Sequence, residues 1–182
     1  MVARVGIIGC GLIGQKRARA LCDSQLVAVA DIDLARAHRL AAQFPGCGAS
    51  ETWLSVIERD DIDLVIVATT NDSLTPITQA AIARGKHVLV EKPAARHIAE
   101  LAPLIQAAQQ SCSVVKVGFN HRFHPAVQKA RAIFDKGDLG PLMYIRARYG
   151  HGGRLGYERE WRADAHVAGG GELLDQGVHL ID

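Results

Sequence analysis

The run Arg4-Val5-Gly6-Ile7-Ile8 leads without a break into Gly9-Cys10-Gly11-Leu12-Ile13-Gly14 and then into a segment of helical period. An apolar run closed by G-x-G-x-x-G and followed by an amphipathic helix is the strand–turn–helix that opens a dinucleotide-binding βαβ unit. Each glycine has a physical task. Gly9 permits the tight turn, Gly11 lets backbone approach a pyrophosphate, and Gly14 lets the helix pack closely on the strand. The helix start, with Leu12 and Ile13 in its first turn, offers N–H groups and partial positive charge to an anion. Asp31 ends the second apolar run, 17 residues after Gly14. A carboxylate there accepts hydrogen bonds from the adenosine ribose and repels a 2′-phosphate, which favours NAD over NADP, with Arg36 keeping NADP open.

The same alternation continues down the chain. Runs at 3–8, 26–30, 64–68, 87–90 and 114–117 read as strands, and 12–21, 34–43, 74–84 and 98–110 read as crossover helices, with Gly85 and Pro45-Gly46 as stop signals. The expected class is α/β: a doubly wound, Rossmann-type parallel sheet over residues 1–120. After Asn120 the pattern changes to a helix at 125–135, a turn at 137–141 and an alternating segment, MYIRARY, that could start a second sheet. Eight of the 18 glycines fall between positions 150 and 177, which reads as a long functional loop. Residues 172–182 look helical, with Leu173, Leu174, Val178 and Ile181 on one face, but no stop signal follows. MYIRARY would be a lone strand. The expectation is a second domain, begun at 121–182 and cut short.

Composition narrows the classes. With 48% hydrophobic and 22% charged residues the chain can bury a core. A net charge of +2, spread evenly, gives no case for a nucleic-acid or membrane-surface partner. Cys10, Cys22, Cys47 and Cys112 form no C-x-x-C pair, which argues against a zinc site or disulfide scaffold and for a reducing cytosol. The opening apolar stretch lacks a cleavage site and reads as a strand rather than a signal peptide. His121 and His124, three apart, have no accompanying ligand cluster, so no metal site is expected.

Further candidates lie where the strands end, at the carboxyl edge where open α/β sheets bind ligands. Thr69, Thr70 and Asn71 follow the third run and serve equally as an ordinary helix cap. Glu91-Lys92-Pro93 follow the fourth. A lysine there can donate to a substrate oxygen, or be a solvated turn residue; Pro93, with a cis bond as one option, would fix its direction. In GGGELLDQGVHLID, Asp175 and His179 are four apart. On a helix the carboxylate can orient and tune the imidazole as a base for alcohol oxidation, or the two form a surface pair.

Four ordered signals, VGIIGCGLIG with Asp31, VEKP, GFNHRFHPA and GGGELLDQGVHLID preceded by EWR, resemble the Gfo/Idh/MocA oxidoreductases, the group of glucose-fructose oxidoreductase and inositol dehydrogenase, over the whole chain. The resemblance implies a Rossmann domain followed by a substrate domain on an open, mostly antiparallel sheet, with NAD bound between them. It implies that His179 takes the hydroxyl proton, Asp175 sets its orientation and pKa, and Lys92 polarises the oxygen. Asn120 and Arg122 match the family's N-x-R turn near cofactor and substrate, and Trp161-Arg162 match a W-R pair near the domain interface. The cofactor set then takes in Thr69, Thr70, Asn71, Glu91, Lys92, Asn120, Trp161 and Arg162, and Lys92, Arg122, Asp175 and His179 form the substrate side. Thr70 and Leu74 depart from the family's T-P-N-x-x-H loop. The implied activity is hydride exchange between nicotinamide and a secondary hydroxyl of a sugar, cyclitol or nucleotide-linked sugar, in a cytoplasmic homo-oligomer. NAD-using glycosidase chemistry and a truncated, non-catalytic dinucleotide binder are the alternatives.

Overall fold

The computed structural model describes residues 2–150 and 155–182. Six parallel strands stand in the order β3-β2-β1-β4-β5-β6: β1 (Arg4–Ile8), β2 (Gln25–Ala30), β3 (Gly48–Ser50), β4 (Leu64–Val67), β5 (His87–Val90) and β6 (Val115–Val117). The crossovers are α1 (Leu12–Arg19), α2 (Leu34–Ala41), α3 (Leu54–Ile57), α4 (Asn71–Ala83) and α5 (Ile98–Gln109). The sheet reverses direction of growth at β1, which places a crevice outside the carboxyl ends of β1 and β4.

Side chains alternate along each strand, so every strand feeds two cores. Val5 and Ile7 of β1 and Ile66 of β4 join Ala18, Ala37 and Leu40 on one face. Val65 and Val67 turn to the other, against Val56, Leu74, Ile77 and Leu104. Gly6 is required by close approach: a Cβ there would lie 2.4 Å from Val56 Cγ1. Helix ends follow the expected chemistry. Asp33 caps α2 by accepting from the Arg36 N–H, and Gly46 and Gly85 take positive φ after α2 and α4.

Three features differ from expectation. β3 and α3 carry too short a pattern, Gly-Ala-Ser and Leu-Ser-Val-Ile, to register as strand and helix. α4 starts at Asn71 rather than 74, because Thr70 takes the extended N-cap conformation. MYIRARY at 143–149 forms no strand; its backbone has no neighbouring strand to pair with, and Met143, Tyr144 and Ile145 are exposed.

Beyond β6 come a 3-10 turn at Asn120–Phe123 and α6 (Pro125–Asp135), which starts with Pro125 in its first turn and with His124 accepting from Ala126 N–H. The glycine-rich stretch is more structured than a plain loop, although 151–154 of it lie outside the described residues. It holds 3-10 turns at Tyr157–Arg159 and Trp161–Ala163, then α7 (Ala165–Ala168). The closing helix has a π turn at Leu173–Gly177 running into α8 (Val178–Ile181). Asn71 Nδ2, buried, donates to Ala168 O at 2.9 Å and ties this segment to the start of α4. Among the described residues, no helix is long and apolar enough to cross a membrane, and no three His, Cys, Asp or Glu side chains gather as for a metal ion.

Candidate active site

The glycine turn is built by contacts that exclude side chains at two positions and leave a third open. Gly9, at φ +94°, donates to Ala30 O, and a Cβ on it would sit 2.4 Å from Ala68 O. A Cβ on Gly14 would lie 1.9 Å from Gly9 O. Gly11 has nothing within 4 Å of its Cβ position, caps α1 with no side chain, and precedes a first turn with no acidic residue. Open space beside uncapped helix amides suits the close approach of a pyrophosphate. Leu12 and Ile13, in that turn, are exposed.

Asp31 is buried at the end of β2. It accepts from Cys10 N–H at 2.7 Å and from Asp33 N–H at 2.9 Å, so one carboxylate braces both the glycine turn and the start of α2. Two of its roughly four lone-pair sites remain for ribose hydroxyls. Arg36 Nη1 approaches the same carboxylate at 3.6 Å, beside Asp33. Burial, and then Asp31, push the Cys10 thiol up to about 12, so it stays protonated.

At the next strand ends, Thr70 Oγ1 donates to Asp72 at 2.6 Å, Thr69 Oγ1 donates to Thr70 O at 3.3 Å, and the Asn71 amide is turned toward Ala168. These three side chains thus serve the helix start and the tie to α7 in this arrangement. Leu74, fully buried, packs in the core. Glu91 is also committed: Arg17 Nε donates to it at 2.6 Å, and Gly118 covers the pair so closely that a Cβ would meet Glu91 Oε2 at 2.8 Å.

Lys92, joined to Pro93 by a cis peptide, reaches across to the π turn. Its Nζ donates to both Asp175 Oδ1 and Asp175 O, each at 2.6 Å. Gln176 Nε2 donates to Asp175 Oδ2 at 3.1 Å, and Arg162 Nε lies 3.4 Å from it. Burial pushes the Asp175 carboxyl up, but the Lys92 hydrogen bond and charge, with Arg162, more than offset it and hold the group below its ordinary value. Arg162 also stacks 4.5 Å above its neighbour Trp161 and pairs with Glu160. Trp161, Arg162, Tyr157, Asn71 and Asp175 enclose a cavity of about 50 Å³. That is room for water, well below the ~300 Å³ of a small-molecule pocket.

The spacing of four puts Asp175 and His179 on one helix face, where the carboxylate can orient or tune the imidazole. Here the Asp175 carboxylate is taken by Lys92, Arg162 and Gln176, and His179 Nδ1 is buried with no hydrogen-bond partner among the described residues. Asp175 sits in the π turn, and its carboxylate faces Lys92. His179 stacks instead on His121, ring centroids 4.0 Å apart and planes at 23°, with Tyr149 and Phe119 edge-on around it. Burial first, then His121 and Lys92, lower its pKa from the ordinary imidazole value. His121 is the residue that sequence reasoning passed over; its place in the GFNHRF turn at the end of β6 was the available signal. Arg122, in that turn, donates Nε to Asp182 at 2.8 Å, and Asn120 starts it.

Residues 3–119 match the family model described as "Oxidoreductase family, NAD-binding Rossmann fold", and residues 127–182 match the GFO/IDH/MocA C-terminal domain. Inositol 2-dehydrogenase 4 of Saccharopolyspora erythraea is 38% identical over 146 residues, 77% of this chain and 43% of that protein. Levoglucosan dehydrogenase of Pseudarthrobacter phenanthrenivorans is 31% identical over 193 residues, 98% of this chain and 49% of the relative. Among solved structures, levoglucosan dehydrogenase in complex with NADH and levoglucosan superposes with a TM-score of 0.89 at 27% identity, covering 100% of this chain and 52% of the other. A 3-ketoreductase from Actinomadura kijaniata, bound to NADP and TDP-benzene, gives 0.81 at 27% identity, covering 100% and 56%. The chain spans about half the length of the curated relatives it matches.

Proposed function

The chain belongs to the Gfo/Idh/MocA family of oxidoreductases, and from that premise we propose that it carries the cofactor site and proton-handling residues of an NAD-dependent dehydrogenase. Its substrate class is a secondary alcohol of a sugar, cyclitol or nucleotide-linked sugar. The observation that carries the reading is convergence: the glycine turn after β1, Lys92 after β5 and Asp175 with His179 from the closing helix all come to the carboxyl edge of one sheet. The relatives' named substrates, inositol, levoglucosan and a dTDP-linked 3,4-didehydro-2,6-dideoxysugar, are six-membered rings that carry secondary hydroxyls or the ketones that such hydroxyls become on oxidation.

In this reading Gly11 and the start of α1 hold the pyrophosphate and Asp31 the adenosine ribose, which favours NAD over NADP. Bound nicotinamide supplies the hydride acceptor. Lys92 uses two of its three N–H donors on Asp175 and keeps one for a substrate oxygen. Asp175 fixes the direction of that ammonium. His179, favoured as the neutral imidazole, takes the hydroxyl proton as hydride leaves carbon. Arg122 and Asn120 line the substrate and cofactor approach, with Trp161 and Arg162 closing the far side. Residues 1–120 form the dinucleotide-binding domain and 121–182 belong to the substrate domain, working as a cytoplasmic enzyme.

The test is turnover: NAD reduction followed at 340 nm with a panel of inositols, anhydrosugars and nucleotide-sugars, in wild type and His179→Ala. The reading expects reduction with at least one such alcohol, and in the variant a rate loss of about 10²-fold or more with NADH binding retained. Equal turnover by His179→Ala would contradict the assigned base. NAD retained with no net reduction during glycoside cleavage would replace the dehydrogenase reading with a hydrolytic one.

A further inference from the structure

His121 lies outside the Lys92–Asp175 network, and nothing in the proposed chemistry so far uses it. Its ring nonetheless lies nearly parallel to His179, with centroids 4.0 Å apart, and Tyr149 packs edge-on against it at 5.1 Å. The groups facing His179 come from every element around it: His121 and Phe119 from the turn after β6, Tyr149 from the stretch after α6, Lys92 from the end of β5, and Asp175 and Asp182 from its own helix and the position after it. Asp182 is neutralised by Arg122, and Asp175 by Lys92 and Arg162. Both carboxylates still favour an imidazolium at His179, but each is already paired with cations, whereas the two imidazoles, one against the other, cannot both take a proton without like-charge repulsion across a few ångströms in a partly dry site.

Resting on the assignment of His179 as the base, we propose that His121 is a positioning residue that acts through charge as well as shape: stacked against His179, it disfavours a proton on that ring and fixes its plane. The stack itself supplies orientation that Asp175 does not, since no hydrogen bond reaches His179 Nδ1 among the described residues. The base is then competent below the pH at which an isolated histidine is protonated.

The experiment is an NMR titration of the His179 Cε1–H resonance in the 182-residue chain, beside His121→Phe, which keeps a flat ring in the stack and removes the ionisable group. The expected result is a rise of about half a pH unit or more in the His179 midpoint in His121→Phe, a roughly threefold gain in proton affinity. An unmoved midpoint overturns the proposal. A second reading on wild type alone covers the case in which the variant fails to fold: coupling requires the His179 curve to be broader than a single-proton transition, and a clean single-site curve overturns it. A purely structural role for His121 predicts no shift in His121→Phe. Because these curves need neither cofactor nor substrate, failure of the dehydrogenase reading appears as absent turnover and leaves the titration result standing.

Discussion

At the residue scale the two catalytic candidates on the closing helix respond to pH in the same direction. Asp175 is held below its ordinary value of 3.8, so the folded state binds its proton less well than the unfolded chain. Its stabilising contribution is present above 3.8 and is lost as pH falls through the lower folded value. Asp175→Asn is expected to cost about 2 kcal/mol at neutral pH, the scale of charge-assisted hydrogen bonds lost. Urea denaturation should show the gap between wild type and variant closing as the pH drops below that range. A gap that persists in acid would mean that the Lys92 pair contributes nothing through charge. His179 acts higher up: held below 6.5 by burial, His121 and Lys92, it is protonated more readily unfolded than folded, so stability should begin to fall as pH drops below 6.5. Lys92, Asp175 and His179 stand out in the sequence through the resemblance of VEKP and GGGELLDQGVHLID to family motifs, since spacing alone leaves a solvated turn residue and a surface pair equally open. Their partners do not. An interval of four implies an ordinary α turn, and no local pattern announces the π turn in which Asp175 faces Lys92, 83 positions away in sequence.

At the element scale the glycine turn separates folding from binding. A methyl on Gly14 must displace Gly9 O, 1.9 Å away, whereas a methyl on Gly11 meets open space. Gly14→Ala is therefore expected to destabilise the chain by about 2 kcal/mol or more, through backbone strain in the turn. Gly11→Ala should keep the melting temperature and weaken NADH binding about tenfold, because the methyl occupies the pyrophosphate's approach. Thermal scans and NADH titrations of the two variants check both; loss of stability in Gly11→Ala with binding intact would reverse the assignment. β1, β2 and β4 were readable because each is an aliphatic run between turn signals, buried on both faces. β3 was hidden by its Gly-Ala-Ser composition, and MYIRARY misled because alternation describes a strand's faces but supplies no neighbour to pair with.

At the scale of the whole molecule, polar ties that join the dinucleotide domain to the segment 157–181 include Asn71 to Ala168, Arg96 to His166 O, and Lys92 to Asp175. Asn71→Leu removes one buried donor and leaves the Ala168 carbonyl unpaired, an expected cost of about 1–3 kcal/mol. Hydrogen exchange should quicken across 165–181 while the sheet stays protected; uniform acceleration would mean that the segment is part of one cooperative unit. The proposed NAD site is formed by β1, α1 and Asp31, with the Lys92–Asp175–His179 group attached to it. Its most direct test is a titration of the chain with NADH and with NADPH, followed by energy transfer from Trp53 and Trp161, in wild type and in Asp31→Asn. That substitution keeps a hydrogen-bond acceptor for the Cys10 N–H while removing the charge. The account predicts saturable NADH binding, weaker NADPH binding, and a narrower gap between them in the variant. No NADH binding by the folded chain, or tighter NADPH binding that Asp31→Asn leaves unchanged, would contradict it.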